Sequence, residues 1–211
     1  MCYVPNLVCY ARFGFHFFAC IHAFDGRAES WPKFALFYTI SMALDGIDGK
    51  LAHCLNQCSR YGAALDMISD RTSCATIYMV LATLYPEVSP LFYICLVLDF
   101  GSHFLQFNSS ALLKSDSHKR NIEQENIILR YYYSNILFFS MLCVCSEAAT
   151  VGLVFQKRWP AYRDNVFCQV LNGFLCLNLT VKMFINIHQW QAAKKRFDEY
   201  QGQETQDSKK K

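Results

Sequence analysis

Four aspartates, Asp45, Asp48, Asp66 and Asp70, fall within one short stretch, DGIDGKLAHCLNQCSRYGAALDMISD, flanked by apolar runs such as FALFYTISMAL and CATIYMVLATLY. Asp45 and Asp48 are spaced i, i+3 and Asp66 and Asp70 i, i+4, so on helices each pair shares a face. Hard carboxylate oxygens with no His or Cys among them favour Mg²⁺ or Mn²⁺ over zinc. Four of them suit two ions, the arrangement that clamps a phosphoryl group during in-line displacement. DGIDGK lacks the alternating acids and closing glutamate of an EF-hand. Four acids on a solvated loop would be unremarkable, but the apolar flanks argue against that reading.

The elements that must position these acids read as membrane helices. A helix crossing the hydrocarbon core needs about 20 mostly apolar residues, and six candidates occur, at roughly 7–24, 33–52, 63–85, 90–108, 134–155 and 166–188. The expected fold is an all-α integral membrane protein with six transmembrane helices and a polar C-terminal tail. Residues 1–190 form the membrane domain and 191–211 a charged tail, read as a short surface helix that frays into disorder. An aspartate at the centre of a membrane helix costs about 2.5 to 3.5 kcal/mol, so four deep, unpaired ones would cost on the order of 10 kcal/mol. A position near the cytosolic ends of two antiparallel neighbouring spans relieves part of this, and a bound cation is the obvious compensation for the rest. Gly46, Gly49, Ala52, Gly62, Ala63 and Ala64 crowd the same helix ends. Such residues allow close helix packing, or let a large phosphorylated ligand approach the backbone.

Composition agrees. The chain is 53% hydrophobic, yet its mean hydropathy is only +0.12, because apolar blocks alternate with polar loops and a charged tail. A formal charge of +3, spread along the chain, points away from nucleic acid. The eleven cysteines include no C-x-x-C, and most lie within apolar runs, where free cysteine behaves as a small hydrophobe. Cys54 and Cys58 lack a second ligand pair that would complete a zinc site. A cleaved signal peptide is not expected, since the first apolar run lacks a basic leader and is interrupted by Arg12, His16 and His22. With six spans both termini face one side. Arg60, Lys114, Lys119, Arg120, Arg130 and six tail residues on that side outnumber Arg27, Lys33, Lys157, Arg158 and Arg163 opposite, which places the termini in the cytosol. A transporter or proton path would also hold intramembrane acids, although no internal repeat supports one.

The acid stretch resembles the signature of the CDP-alcohol phosphatidyltransferases: D-x-x-D-G-x-x-A-R, eight residues, then G-x-x-x-D-x-x-x-D. Asp45, Asp48, Gly49, Ala52, Gly62, Asp66 and Asp70 occupy seven of the eight fixed positions at the correct spacing. The likeness is greatest to the eukaryotic phosphatidylinositol synthases. It is carried by Leu55-Asn56-Gln57, Ser59, Tyr61-Gly62, Leu65-Asp66-Met67 and Ser69-Asp70-Arg71, by the opening VPNLVCYAR, and by LDFGSHFLQFNSS, SDSHK and LRYYY. The resemblance implies a six-span fold, a homodimer, residence in the endoplasmic reticulum membrane and an active site open to the cytosol. It implies transfer of a phosphatidyl group from CDP-diacylglycerol to myo-inositol with release of CMP. Asp45, Asp48, Asp66 and Asp70 would then hold two Mg²⁺ or Mn²⁺ ions, with Asp70 also the general base. Gly49, His53 and Ser59 occupy CDP-diacylglycerol positions, and Asn56, Gln57 and Arg71 are candidates for inositol contacts or, alternatively, helix-end polar groups.

One position departs from the pattern: His53 stands where the signature has arginine. Arginine brings a permanent charge and a planar fork of donors, whereas histidine is shorter and mostly neutral near pH 7. Loss of a charged hydrogen bond to phosphate costs about 1.5–3 kcal/mol, and Lys50 or Arg60 could restore the charge. Arg12 and Lys50 could meet phosphates or snorkel to the interface. Competing readings are the same fold with another alcohol acceptor, and a weak paralogue that binds CDP-diacylglycerol or a partner.

Overall fold

The protein is described by a computed structural model covering residues 3–25, 27, 29–112 and 127–209. The SDSHK segment and most of the long loop lie outside the described residues. Regular structure among the described residues is helical throughout. α1 spans Val4–Phe24, α2 Ser30–Cys54, α3 Arg60–Leu84 and, after one 3₁₀ turn, α4 Ser89–Leu112. Then follow α5 Ile127–Ser134, α6 Ile136–Arg158, the single turn α7 Pro160–Arg163 and α8 Val166–Lys209.

Among the described residues, four stretches are long and apolar enough to cross a membrane: Val4–Phe24, Pro86–Ala111, Ile136–Arg158 and Val166–Gly202. The two helices that carry the acids, α2 and α3, are 25 residues each, but their charged residues lower their hydropathy. The segment after His188 departs from expectation. It does not form a separate short helix, because α8 runs without a break to Lys209. Its first turns are held by tertiary contacts: Gln189 and Ala193 are buried, and Arg196 donates to Gln106 Oε1.

The chain divides into two compact units, residues 1–92 with 151–169, and residues 93–150 with 170–211. In the first, α1 presents Asn6, Cys9, Arg12, His16, Ala19 and Ala23 inward. Steps of three and four residues make this one helical stripe, and two thirds of it is not aliphatic. The opposite face exposes Leu7, Phe17, Phe18, Ile21 and Phe24. Polar inside and apolar outside is the inverse of a water-soluble helix and suits a lipid surround. Aromatic contacts join α1 to α2, with Phe15 and Phe18 against Phe37 and His16 against Tyr38. Farther along, Tyr85 donates to the Leu153 carbonyl at 2.9 Å, and the Arg158 guanidinium lies over Trp31.

The second unit has its apolar centre at Leu129, Tyr132, Leu142 and Ile185. Gly101 is required there by a close approach: an added Cβ would lie 2.2 Å from the Trp190 ring. Buried beside this core, Lys182 Nζ donates to Tyr132 Oη at 3.1 Å, and Asn186 donates to Asp99 at 3.3 Å.

Candidate active site

The link between α2 and α3 is only five residues, Leu55–Ser59, so the acid-bearing ends of the two helices are held close. Asn56 turns the chain with φ at 52°, a left-handed conformation that asparagine tolerates better than most residues. Ser59 is extended and its Oγ accepts from Gly62 N at 2.9 Å, capping α3. The Gln57 carbonyl oxygen Oε1 accepts from Val4 N at 2.9 Å, so the same link ties down the start of α1.

The four aspartates converge as their spacing predicts, and they do so around a residue from the first helix. Arg12 Nη1 lies 2.7 Å from Asp48 Oδ2 and 2.8 Å from Asp66 Oδ1. Its Nη2 lies 2.5 Å from Asp70 Oδ1 and also pairs with Asp45 Oδ1. The Arg12 side chain is only 4% exposed and Asp48 6%, whereas Asp45, Asp66 and Asp70 are 46, 47 and 32% exposed. The cluster therefore has a sealed floor and an open side. Arg71, buried, brings Nη2 to 3.7 Å from Asp70 Oδ2.

Among the described residues, two sets of side chains place ligand atoms within 4.8 Å of one another and could hold a metal ion: Asp45, Asp66 and Asp70, and Cys9, Asp48 and Asp66. The first set is all oxygen, as expected. The second brings in a thiol, Cys9, that the sequence reading did not single out. Cys9 Sγ donates to Asp48 Oδ2 at 3.3 Å, so as placed it orients that carboxylate.

Beside the acids opens a cavity of about 190 Å³. It is lined by Asp48 and Asp66, by Gly49, His53 and Ser59, and by Gln57, Cys58 and Gly62, with Pro5, Asn6 and Cys9 from α1. The residues assigned to the CDP-diacylglycerol positions thus share one cavity with two of the acids. A Cβ at Gly49 would meet nothing within 4 Å, whereas one at Gly62 would lie 3.1 Å from both Asn6 Oδ1 and Ser59 Oγ. His53 is exposed, with Nδ1 3.7 Å from Cys58 Sγ. Of the other candidates, Gln57 lines this cavity, Asn56 is exposed at the turn and is not part of its lining, and Arg71 stands beside Asp70. Sequence reasoning did not foresee Arg12 at the centre of the acids, nor Asn6 and Cys9 at the cavity. The available signal was the polar stripe Asn6, Cys9, Arg12 and His16 within an apolar segment.

The profile of the CDP-alcohol phosphatidyltransferase family matches residues 2–157, most of the chain and all of this site. This chain belongs to that family. Among curated members, a human protein named CDP-diacylglycerol–inositol 3-phosphatidyltransferase is 39% identical over 69% of this chain and 66% of its own length. A protein of that name numbered 1 in Arabidopsis thaliana is 35% identical over 72% of this chain and 65% of its own. One from Candida albicans is 34% identical over 69% and 61%. The matched stretch thus spans slightly less than two thirds of these relatives. No solved structure matches the chain.

Proposed function

We propose that this chain is a phosphatidylinositol synthase, transferring the phosphatidyl group of CDP-diacylglycerol to a hydroxyl of myo-inositol and releasing CMP. The observation that carries the reading is the convergence of Asp45, Asp48, Asp66 and Asp70 beside a cavity lined by Gly49, His53 and Ser59. The names of the related proteins supply the acceptor.

The carboxylates fit Mg²⁺ or Mn²⁺, because the shared donors are hard oxygens and three of the four side chains face open space. Asp45, Asp48, Asp66 and Asp70 would hold two ions. Bound there, the ions would neutralise the pyrophosphate and stabilise the departing CMP. Gly49, with no side chain, leaves room for the head group to approach the α2 backbone. The Ser59 hydroxyl, already accepting from Gly62, can still donate to a phosphate oxygen. Asp70 takes the proton of the attacking inositol hydroxyl as the new P–O bond forms and the bond to CMP breaks. Arg71, 3.7 Å from the second Asp70 oxygen, orients that carboxylate and is the best placed of the inositol candidates. Gln57 lies with the head-group residues and also anchors α1, and Asn56 shapes the turn.

The wider setting belongs to the same proposal. With α2 and α3 counted as spans, six helices cross the membrane and both termini and the active site face the cytosol. The compartment is the endoplasmic reticulum, residues 191–211 are a cytosolic extension, and the working unit is a homodimer. A second reading, a weak paralogue that binds CDP-diacylglycerol, is favoured by one observation: exposed His53 replaces the phosphate-binding arginine. Purified protein assayed for CMP release and labelled-inositol incorporation, with Mn²⁺ or Mg²⁺ and with chelator, separates them. Metal-dependent phosphatidylinositol formation that fails in Asp70→Asn supports the synthase. An inert wild type that His53→Arg revives supports the paralogue.

A further inference from the structure

The geometry points to Arg12 as an internal counter-cation that competes with divalent ions for the four aspartates and so sets the ion concentration at which the site loads. The inference rests on the reading of these carboxylates as metal ligands. One oxygen of every aspartate is already in contact with an Arg12 terminal nitrogen. A divalent ion held by the same carboxylates would set its charge against the guanidinium. Arginine cannot yield by losing its proton, so it yields only by moving. Only the carboxylates oppose that movement by hydrogen bonding: Arg12 Nε is buried and makes no hydrogen bond among the described residues, which leaves the fork held by the carboxylates alone.

The same contact explains how four acids persist together on largely apolar helices. Arg12 and Arg71 offset part of their mutual repulsion, and an acid excess remains to draw a divalent ion in. Loading then becomes an exchange of cations rather than the filling of a bare acidic cluster. Ion affinity is weakened by the strength of the Arg12 contacts, and the carboxylates stay clustered throughout.

The test is Mn²⁺ binding to the detergent-purified full chain, read by electron paramagnetic resonance, together with the thermal midpoint in chelator. Wild type, Arg12→Gln, Arg12→Lys and Arg71→Gln are compared. Arg12→Gln is expected to bind Mn²⁺ at least about tenfold more tightly, the factor carried by one charge-assisted hydrogen bond. Its midpoint in chelator should fall and be restored by Mn²⁺. Arg71→Gln removes an equal charge near Asp70 without freeing the shared oxygens, and should tighten binding by less than about fivefold. If Arg12→Gln does not survive purification, Arg12→Lys, which cannot reach as many carboxylates, should still bind Mn²⁺ more tightly than wild type. Equal or weaker Mn²⁺ binding in the Arg12 variants, or equal tightening in Arg71→Gln, overturns the exchange. Wild type and Arg12 variants that all fail to bind Mn²⁺ overturn the metal-site reading itself, and the exchange with it.

Discussion

The chain buries charge in two places under opposite rules. In the first unit, four carboxylates gather against two guanidinium groups, and three of the four are a third to a half exposed beside a cavity. In the second, the buried charges among the described residues are one acid and one base, Asp99 at 3% exposure and Lys182 at 7%. Asp99 accepts from Asn186 and has His103 Nδ1 at 3.9 Å, and Lys182 donates to Tyr132 and to Cys143. Balanced, enclosed and hydrogen-bonded charge stabilises helix association modestly. Unbalanced charge on an open side is costly to the fold and is kept for what it binds. The difference separates a site from a strut.

The sharpest way to break that contrast is Asp70→Asn. On the proposed function, phosphatidylinositol formation should fall about 10³-fold, the range of a lost general base. Removing one crowded carboxylate should leave the thermal midpoint in chelator equal or higher. A large loss of stability with activity intact would make the acid cluster a strut after all. Next in size is His53→Arg, which restores the signature fork. The KM for CDP-diacylglycerol should drop about tenfold, with little change in stability; an unaltered KM would mean that the cavity does not seat the phosphates.

Lys182→Met tests the other region. It keeps the bulk but removes the ammonium that donates to Tyr132 and to Cys143, and should cost about 1 kcal/mol, within the measured span for interhelical bonds in membranes. The readout is a lowered thermal midpoint in detergent with Mn²⁺ affinity unchanged; a changed affinity would mean that the two regions are not independent in role. The smallest effect belongs to a surface pair outside both clusters. Hydrogen bonds from Arg27 and Ser30 hold the Asp25 carboxyl below the usual carboxylate range. A depressed folded-state pKa contributes stability above the unfolded value, near 3.9, and loses it as the pH falls further. Asp25→Asn should therefore lower the thermal midpoint slightly at pH 7, and the difference should shrink below about pH 4.

The helices were readable wherever hydropathy and helix-end signals agreed. The first four expected spans begin and end within a few residues of α1 to α4. The exception is α8: polarity after His188 predicts a separate short surface helix that frays into disorder, whereas the helix continues to Lys209. Polarity ends a membrane span but not a backbone ladder, and no proline interrupts residues 189–209. Burial of Gln189 and Ala193 and the Arg196 bond to Gln106 carry the helix onward.

The candidate site divides along the same line. Spacing alone determined that Asp45 with Asp48, and Asp66 with Asp70, would each share a face, and the short link made those faces neighbours. That much is local geometry, set by 3.6 residues per turn and a five-residue connection. Which cation meets the acids was not local. Arg12 is 36 residues from Asp48 and 58 from Asp70 in sequence, and a lone arginine in an apolar helix is equally consistent with snorkelling. Only the packing of α1 against α2 and α3 decided that its guanidinium turns inward. Lipid outside leaves a buried charge one economical partner, a carboxylate across the helix interface.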